Sequence, residues 1–346
     1  MIIVRLSNQS KFEEEYLRNF IFPENSNIYV SPREFLKLEK KLILTNQLVI
    51  YYSVGNQSIE TEIDEFIKQL DQEFTLIQLS DETLIAKKIR NKNAKIILRS
   101  YFNPNINSSK TYTIPLGYQN GFQEIDNPKS EDRKYIWSFF GQIYSSRNFM
   151  VESLKTVQPN YVNQNKSFMS EDIVNPEEIK KVYRDTIFAP CPDGYINPDT
   201  FRIMEVLESG CIPIVKSFKS IDYFKYVYGN HPFIVLKDWS EAIEIIKRYT
   251  EDKELLNSKQ NEITLWYKEY KNKLRLDIKN LIYESKTPQS SIQFKYQRSS
   301  RFNLFLRVKF YYWFRLKQNF LFYKLNKLIF KTKNFLKKLV LNEAGI

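Results

Sequence analysis

Between Phe188 and Val215 the chain reads Phe-Ala-Pro-Cys-Pro-Asp-Gly-Tyr-Ile-Asn-Pro-Asp-Thr-Phe-Arg-Ile-Met-Glu-Val-Leu-Glu-Ser-Gly-Cys-Ile-Pro-Ile-Val. The pattern is an apolar strand, a Pro/Gly loop, a helical run, a glycine stop and a second apolar strand. Asp199 or Thr200 is placed to cap the helix start, and Gly210 to end it. A loop that feeds a helix start offers free backbone N–H groups and a positive dipole end, which suits a diphosphate. Arg202, in the first turn, adds a bidentate anion contact. Glu205, three residues on, lies on a neighbouring face and can accept hydrogen bonds from a ribose diol. Six of the eight glycines fall within residues 117–229, in a chain that otherwise avoids them. Glycine belongs where the backbone turns tightly or approaches a ligand, so this region is the expected site.

The elements that must position these residues alternate. Residues 1–128 set short apolar runs (Ile2–Leu6, Asn27–Val30, Gln47–Tyr52, Phe74–Leu79, Lys95–Arg99, Tyr112–Pro115) between charged stretches of helical composition, Glu60–Gln72 and Thr83–Asn91. Strand–helix alternation argues for a layered α/β domain with a mostly parallel sheet. A polar stretch containing Pro128, Gln123–Asp132, reads as a linker. A second α/β pattern follows over 129–290. Its expected strands are Tyr135–Phe140, Thr186–Ala189, Ile212–Val215 and Phe233–Leu236. Its expected helices are Ser146–Val157, Pro176–Tyr183 and Thr200–Ser209, then a long helical region broken between Tyr249 and Asp252.

Three stretches together resemble the exostosin-like glycosyltransferases. The first is C-P-x-G-x-x-x-x-D-T-x-R-x-x-E-x-L-x-x-G-C-I-P-I-V, from Cys191 to Val215. The second runs from Leu79-Ser-Asp-Glu82 through Ile97–Phe102 to Ile114–Tyr118 with Gly121-Phe122. The third is Trp137–Gln142 with Ser146-Arg147. The resemblance covers roughly residues 75–240. It implies a GT-B architecture: two facing Rossmann-like domains, 1–128 on the acceptor side and 129–290 holding a nucleotide-sugar, most often UDP-linked. It further implies inversion at the anomeric carbon. By motif position Arg147 and Arg202 neutralise the diphosphate and Glu205 binds the ribose. Asp199 and Thr200 belong to the same donor-binding segment, and Gly141 and Gly194 admit close backbone approach. Asp193 departs from the family pattern, where a basic or small polar residue is common. No Asp-x-Asp occurs, which fits a metal-independent enzyme without a cofactor. Inversion requires a general base, and Asp81 or Glu82, at the end of Phe74–Leu79 where α/β sheets bind ligands, is the candidate.

Each residue also has a plainer role open to it. Asp81 can cap a helix near Thr83, Arg147 can pair with an acid, Arg99 can serve the domain interface, and Glu208 reads as a surface residue. Cys191 and Cys211 read as buried small hydrophobes. His231 reads as a loop-ordering residue, with a base role as its alternative. As the sole histidine it excludes every two-histidine metal site.

The formal net charge of +12 is confined to one segment. Residues 291–346 hold thirteen Lys and Arg against Glu343 alone, and fourteen aromatics, leaving 39 residues of each sign in 1–290. This tail reads as one or two basic amphipathic helices. An anionic membrane surface is the leading partner for it. Packing on the body is the plain alternative, and nucleic acid ranks last because no module signature accompanies it. The start of the chain turns polar by residue 13, unlike a secretory leader, and no apolar run spans a membrane. The expectation is a cytoplasmic, peripherally attached glycosyltransferase that moves a nucleotide-linked sugar to a glycan or lipid-linked glycan in surface polysaccharide synthesis. The alternative is a non-catalytic scaffold of the same fold acting through the tail.

Overall fold

The computed structural model describes residues 1–6, 13–54, 57–82, 91–101, 110–122, 129–144, 146–165, 174–194, 197–217 and 222–284. All of these belong to one compact unit, residues 1–294. The expected helix over Thr83–Asn91, most of the linker Gln123–Asp132 and the basic tail lie outside the described residues.

Two parallel sheets make up the α/β body. The first holds β1 (Ile2–Arg5), β2 (Ile28–Val30), β3 (Leu48–Ser53), β4 (Phe74–Leu79), β5 (Ala94–Ser100) and β6 (Thr111–Ile114) in the order β2-β1-β3-β4-β5-β6. The second holds β7 (Tyr135–Gly141), β8 (Asn160–Gln164), β9 (Thr186–Pro190), β10 (Ile212–Lys216) and β11 (Ile234–Leu236) in the order β11-β10-β9-β7-β8. Every pairing is parallel, so the C-terminal ends of the strands in each sheet share one edge. Central strands are mostly apolar because both faces are covered. β3 and β4 are buried at every position.

The helices are α1 (Pro32–Phe35), α2 (Lys40–Thr45), α3 (Gln57–Lys68), α4 (Ser146–Leu154), α5 (Pro176–Arg184), α6 (Arg202–Glu208), α7 (Phe224–Tyr228), α8 (Ala242–Glu251) and α9 (Lys253–Glu284), with a π-helix at Tyr16–Ile21. The first core joins Ile2, Ile50 and Leu76 to Phe35 of α1 and to Ile63, Phe66 and Ile67 of α3. The second joins Trp137, Phe188 and Ile214 to Met150, Trp239 and Ile246. Each fully buried aliphatic side chain contributes about 1.5–3 kcal/mol. Asp252 separates α8 from α9, at the break the sequence implies.

Among the described residues, two segments tie the sheets together. Residues 115–122 leave β6 and are fixed from the first domain: Glu15 accepts from Gly121 N (2.7 Å), and Tyr16 donates to Pro115 O (3.3 Å). Gly117 has φ +93°, and a Cβ there would overlap the Tyr16 ring. The second connection is α9, which packs on α6 and β10 and on the π-helix. There Arg275 donates to Phe20 O (2.6 Å) and Asn19 O (3.1 Å).

The reading of Glu208 as a surface residue is corrected. It is buried under α9, where Tyr267 donates to it (2.6 Å) and Lys271 pairs with it (3.1 Å). Cutting one partner from a buried pair leaves an uncompensated charge. Lys271→Met is therefore expected to cost about 3–5 kcal/mol in denaturant unfolding. The double variant Glu208→Leu/Lys271→Met should recover most of that loss, and equal losses in the two would refute the assignment.

Candidate active site

The second sheet brings two arginines to the end of β7. Arg202 opens α6 and donates a short hydrogen bond to Phe140 O, while its guanidinium lies 4.5 Å over the Phe139 ring. Arg147, in the first turn of α4, donates to Asp193 O from Nε (3.1 Å) and Nη2 (2.9 Å), and to Gln142 O from Nη1 (3.1 Å). Gly141 lies between them with φ +136°; a Cβ there would be 2.9 Å from Arg202 Nη2 and 3.8 Å from Arg147 Nη1. Glycine is needed on both counts, for the left-handed backbone and for the space.

Both cations are buried, Arg147 to 8% exposure and Arg202 to 9%. Burial, then the positive charge of Arg202, pulls Arg147 down to about 10. Carbonyls and aromatic faces partner them. Arg202 Nε and Nη1 have no hydrogen-bond partner, and neither do Thr200 Oγ1 or either polar atom of the fully buried Asn197. Unsatisfied buried polar atoms are costly and rare in native proteins. Five such atoms on three residues, beside two buried positive charges, describe a cradle for an anion with further hydrogen-bonding oxygens. The loop is closed by Gly194 N donating to Asn197 O (2.7 Å).

The opposite wall is the C-terminal edge of the first sheet. The structure separates the two acids expected there. Asp81 is buried in an ion pair with Arg99 (2.7 Å), itself 1% exposed. Glu82 reaches the loop of the second domain, with Oε1 2.6 Å from where a Cβ on Gly194 would sit. Behind them Glu13, buried, accepts a short hydrogen bond from Ser53 Oγ and one from Ser80 Oγ (2.8 Å). Burial raises its carboxyl to about 7.

Asp199 and Glu205 face residues 115–122. Asp199 accepts from Leu116 N (3.3 Å) and Tyr228 Oη (3.4 Å), and Glu205 accepts from the backbone N–H of Gln119. Burial raises both to about 7. The helix begins at Arg202 with Phe201 at the N-cap and no side-chain cap, so the expected capping by Asp199 or Thr200 is corrected: Asp199 bonds across the domains instead. Arg147 takes carbonyl partners. His231 orders its loop, bonding Asp222 (3.1 Å) and accepting from Phe233 N (3.3 Å). Cys191 and Cys211 are buried, and burial pushes the Cys211 thiol up to about 12. Asn197, Glu13 and the backbone N–H groups of Leu116 and Gln119 are the parts that sequence reasoning missed.

Residues 119–286 match the family model of the RXYLT1 C-terminal domain, in line with the exostosin-like resemblance. No curated protein matches the chain in sequence. Among solved structures, the DNA-modifying enzyme β-glucosyltransferase, determined with and without uridine diphosphoglucose, is similar at 14% identity and a TM-score of 0.52. That match covers 82% of this chain and 99% of the other. A second structure, of T4 phage β-glucosyltransferase, gives 12% identity, a TM-score of 0.50 and the same coverage. At this identity the likeness establishes the fold, two parallel-sheet domains of GT-B type.

Glu13, Asp199 and Glu205 have ordinary values of 4.5, 3.8 and 4.5 and are raised to about 7 in the folded chain. Between those limits the folded state binds more protons than the unfolded chain at these three groups, so the stability they contribute is full below about pH 4 and is lost as pH rises through about 7. A tenfold change in a carboxyl's proton affinity is equivalent to about 1.4 kcal/mol. Calorimetry is expected to show a Tm several degrees lower at about pH 7.5 than at about pH 5. Asp199→Asn should flatten that slope, and an unchanged slope would remove Asp199 as a contributor.

Proposed function

We propose that this chain, a glycosyltransferase, transfers a sugar from a nucleoside-diphosphate donor, UDP-linked, to a hydroxyl of a glycan or lipid-linked glycan. The observation that carries the reading is the buried Arg147–Arg202 pair at Gly141, with open donors on Arg202, Asn197 and Thr200. Two guanidinium groups supply the charge that a leaving diphosphate needs, in a site where burial strengthens the interaction. Their presence supports a reaction in which side chains replace a divalent cation. Glu205 has one carboxylate position engaged by Gln119 and retains acceptor capacity for a ribose diol.

Inversion then proceeds in one displacement. The acceptor oxygen forms its bond to the anomeric carbon and gives its proton to a carboxylate of the first domain. The anomeric carbon–oxygen bond breaks, and its electron pair leaves on the diphosphate. A role in surface polysaccharide assembly, at the inner face of a membrane, is the extension that the basic tail supports. Residues 291–346 carry the whole net charge of the chain, alternating with aromatics. Among the described residues no helix is long and apolar enough to cross a membrane.

Thermal-shift titration with UDP, GDP, CMP, ADP and TDP is expected to show a selective shift with UDP that EDTA leaves unchanged. Arg202→Ala should weaken UDP binding by about 1.5–3 kcal/mol in titration calorimetry. Equal affinity in that variant would sink the anion-cradle assignment. Cutting the chain after Glu284 should abolish co-sedimentation with anionic vesicles, and binding that survives the cut would refute the anchor.

A further inference from the structure

Among the described residues, two non-glycine positions have left-handed backbone, Ser80 (φ +53°) and Tyr101 (φ +65°). Both follow directly on the ends of neighbouring strands, β4 and β5, on the edge that faces the donor loop. A non-glycine residue in this region is strained and persists only where its surroundings fix it.

The surroundings of Ser80 fix it from three sides. Its Oγ donates to Glu13 (2.8 Å), and its backbone N donates to Ser100 Oγ (2.8 Å). The next residue, Asp81, is held by Arg99 (2.7 Å), whose Nε donates to Tyr101 O (3.3 Å). One arginine therefore ties the residue that follows Ser80 to the second left-handed residue, Tyr101. Glu13 is held in turn by Ser53 at the end of β3. Three adjacent strands and the segment after β1 converge on a single turn, and the residue it delivers is Glu82. Glu82 lies against Gly194, where the missing Cβ gives its carboxylate room, and its negative charge is felt at Arg147.

We infer that the Ser80–Glu82 turn is a fixed mount that aims Glu82 at the sugar of the donor, with Ser80, Glu13 and Asp81 as positioning residues and Glu82 as the group that touches substrate. The inference rests on the nucleotide-sugar reading above. It assigns Asp81 to holding the mount and leaves Glu82 to take the acceptor proton. The strain at Ser80 has a purpose under this reading: a relaxed turn would carry the Glu82 side chain off the line to Gly194.

The test uses the full chain with UDP and with UDP-glucose, UDP-galactose and UDP-xylose, measuring affinity by calorimetry and UDP release by chromatography. Ser80→Gly accepts the left-handed backbone but loses the tie to Glu13, and Glu82→Gln keeps the shape but loses the charge. Both should leave UDP affinity within about twofold and weaken the preferred UDP-sugar by at least about fivefold. UDP release should fall by at least about tenfold. Ser80→Asn, which tolerates this backbone and can donate to Glu13, should restore most of the loss. Unaltered UDP-sugar affinity and release in Ser80→Gly, or equal losses for UDP and UDP-sugar, would overturn the mount. Failure of the unsubstituted chain to bind UDP or any of the UDP-sugars would instead overturn the reading on which it rests.

Discussion

Two guanidinium groups buried within each other's field, with backbone carbonyls and aromatic rings as partners, set the terms for the rest of the molecule. Desolvating one such charge is costly, and placing a second beside it adds repulsion. The neighbourhood is arranged to tolerate this. Phe140, Gln142 and Asp193 offer carbonyl oxygens, Phe139 and Tyr144 offer ring faces, and Gly141 withholds a side chain. None of these removes the positive charge. The site keeps an unmet electrostatic demand, and a diphosphate would answer it.

The carboxylates nearby follow from that demand. A fully ionised acid inside the cradle would cancel the charge that makes it useful. Asp199 and Glu205 face the interdomain segment and are raised toward neutrality by burial, and Asp81 is taken up by Arg99. Glu82 alone of these four acids approaches the loop from the other domain, over a glycine. Asp199 and Glu205 also hold residues 115–122 in place, so the segment that carries Arg202 takes part in the fit between the sheets.

Much of this was legible in the sequence because it was local. β4 matches its apolar run residue for residue, and the other expected strands fall within two residues of their positions. β8 was not legible: Asn-Tyr-Val-Asn-Gln is an edge strand with a polar, half-buried pattern. The Pro/Gly loop and Arg202 stand out by spacing, and Arg147 by the family resemblance. What failed was every partner distant in sequence. Asp199 looks like a helix cap until Leu116 is folded against it, and Glu208 looks solvated until Lys271 arrives on α9. Glu13 hides in a run of three glutamates that reads as a solvated surface, and the unmet amide of Asn197 exists only after packing.

The long helix α9 bears on both sheets. At 32 residues, α9 extends about 48 Å at 1.5 Å per residue. It is rooted on the second sheet and clamped to the first by Arg275 at the π-helix. With residues 115–122 it makes a second strut across the same gap. Held on both sides, α9 makes the placement of one sheet against the other depend on a single continuous helix.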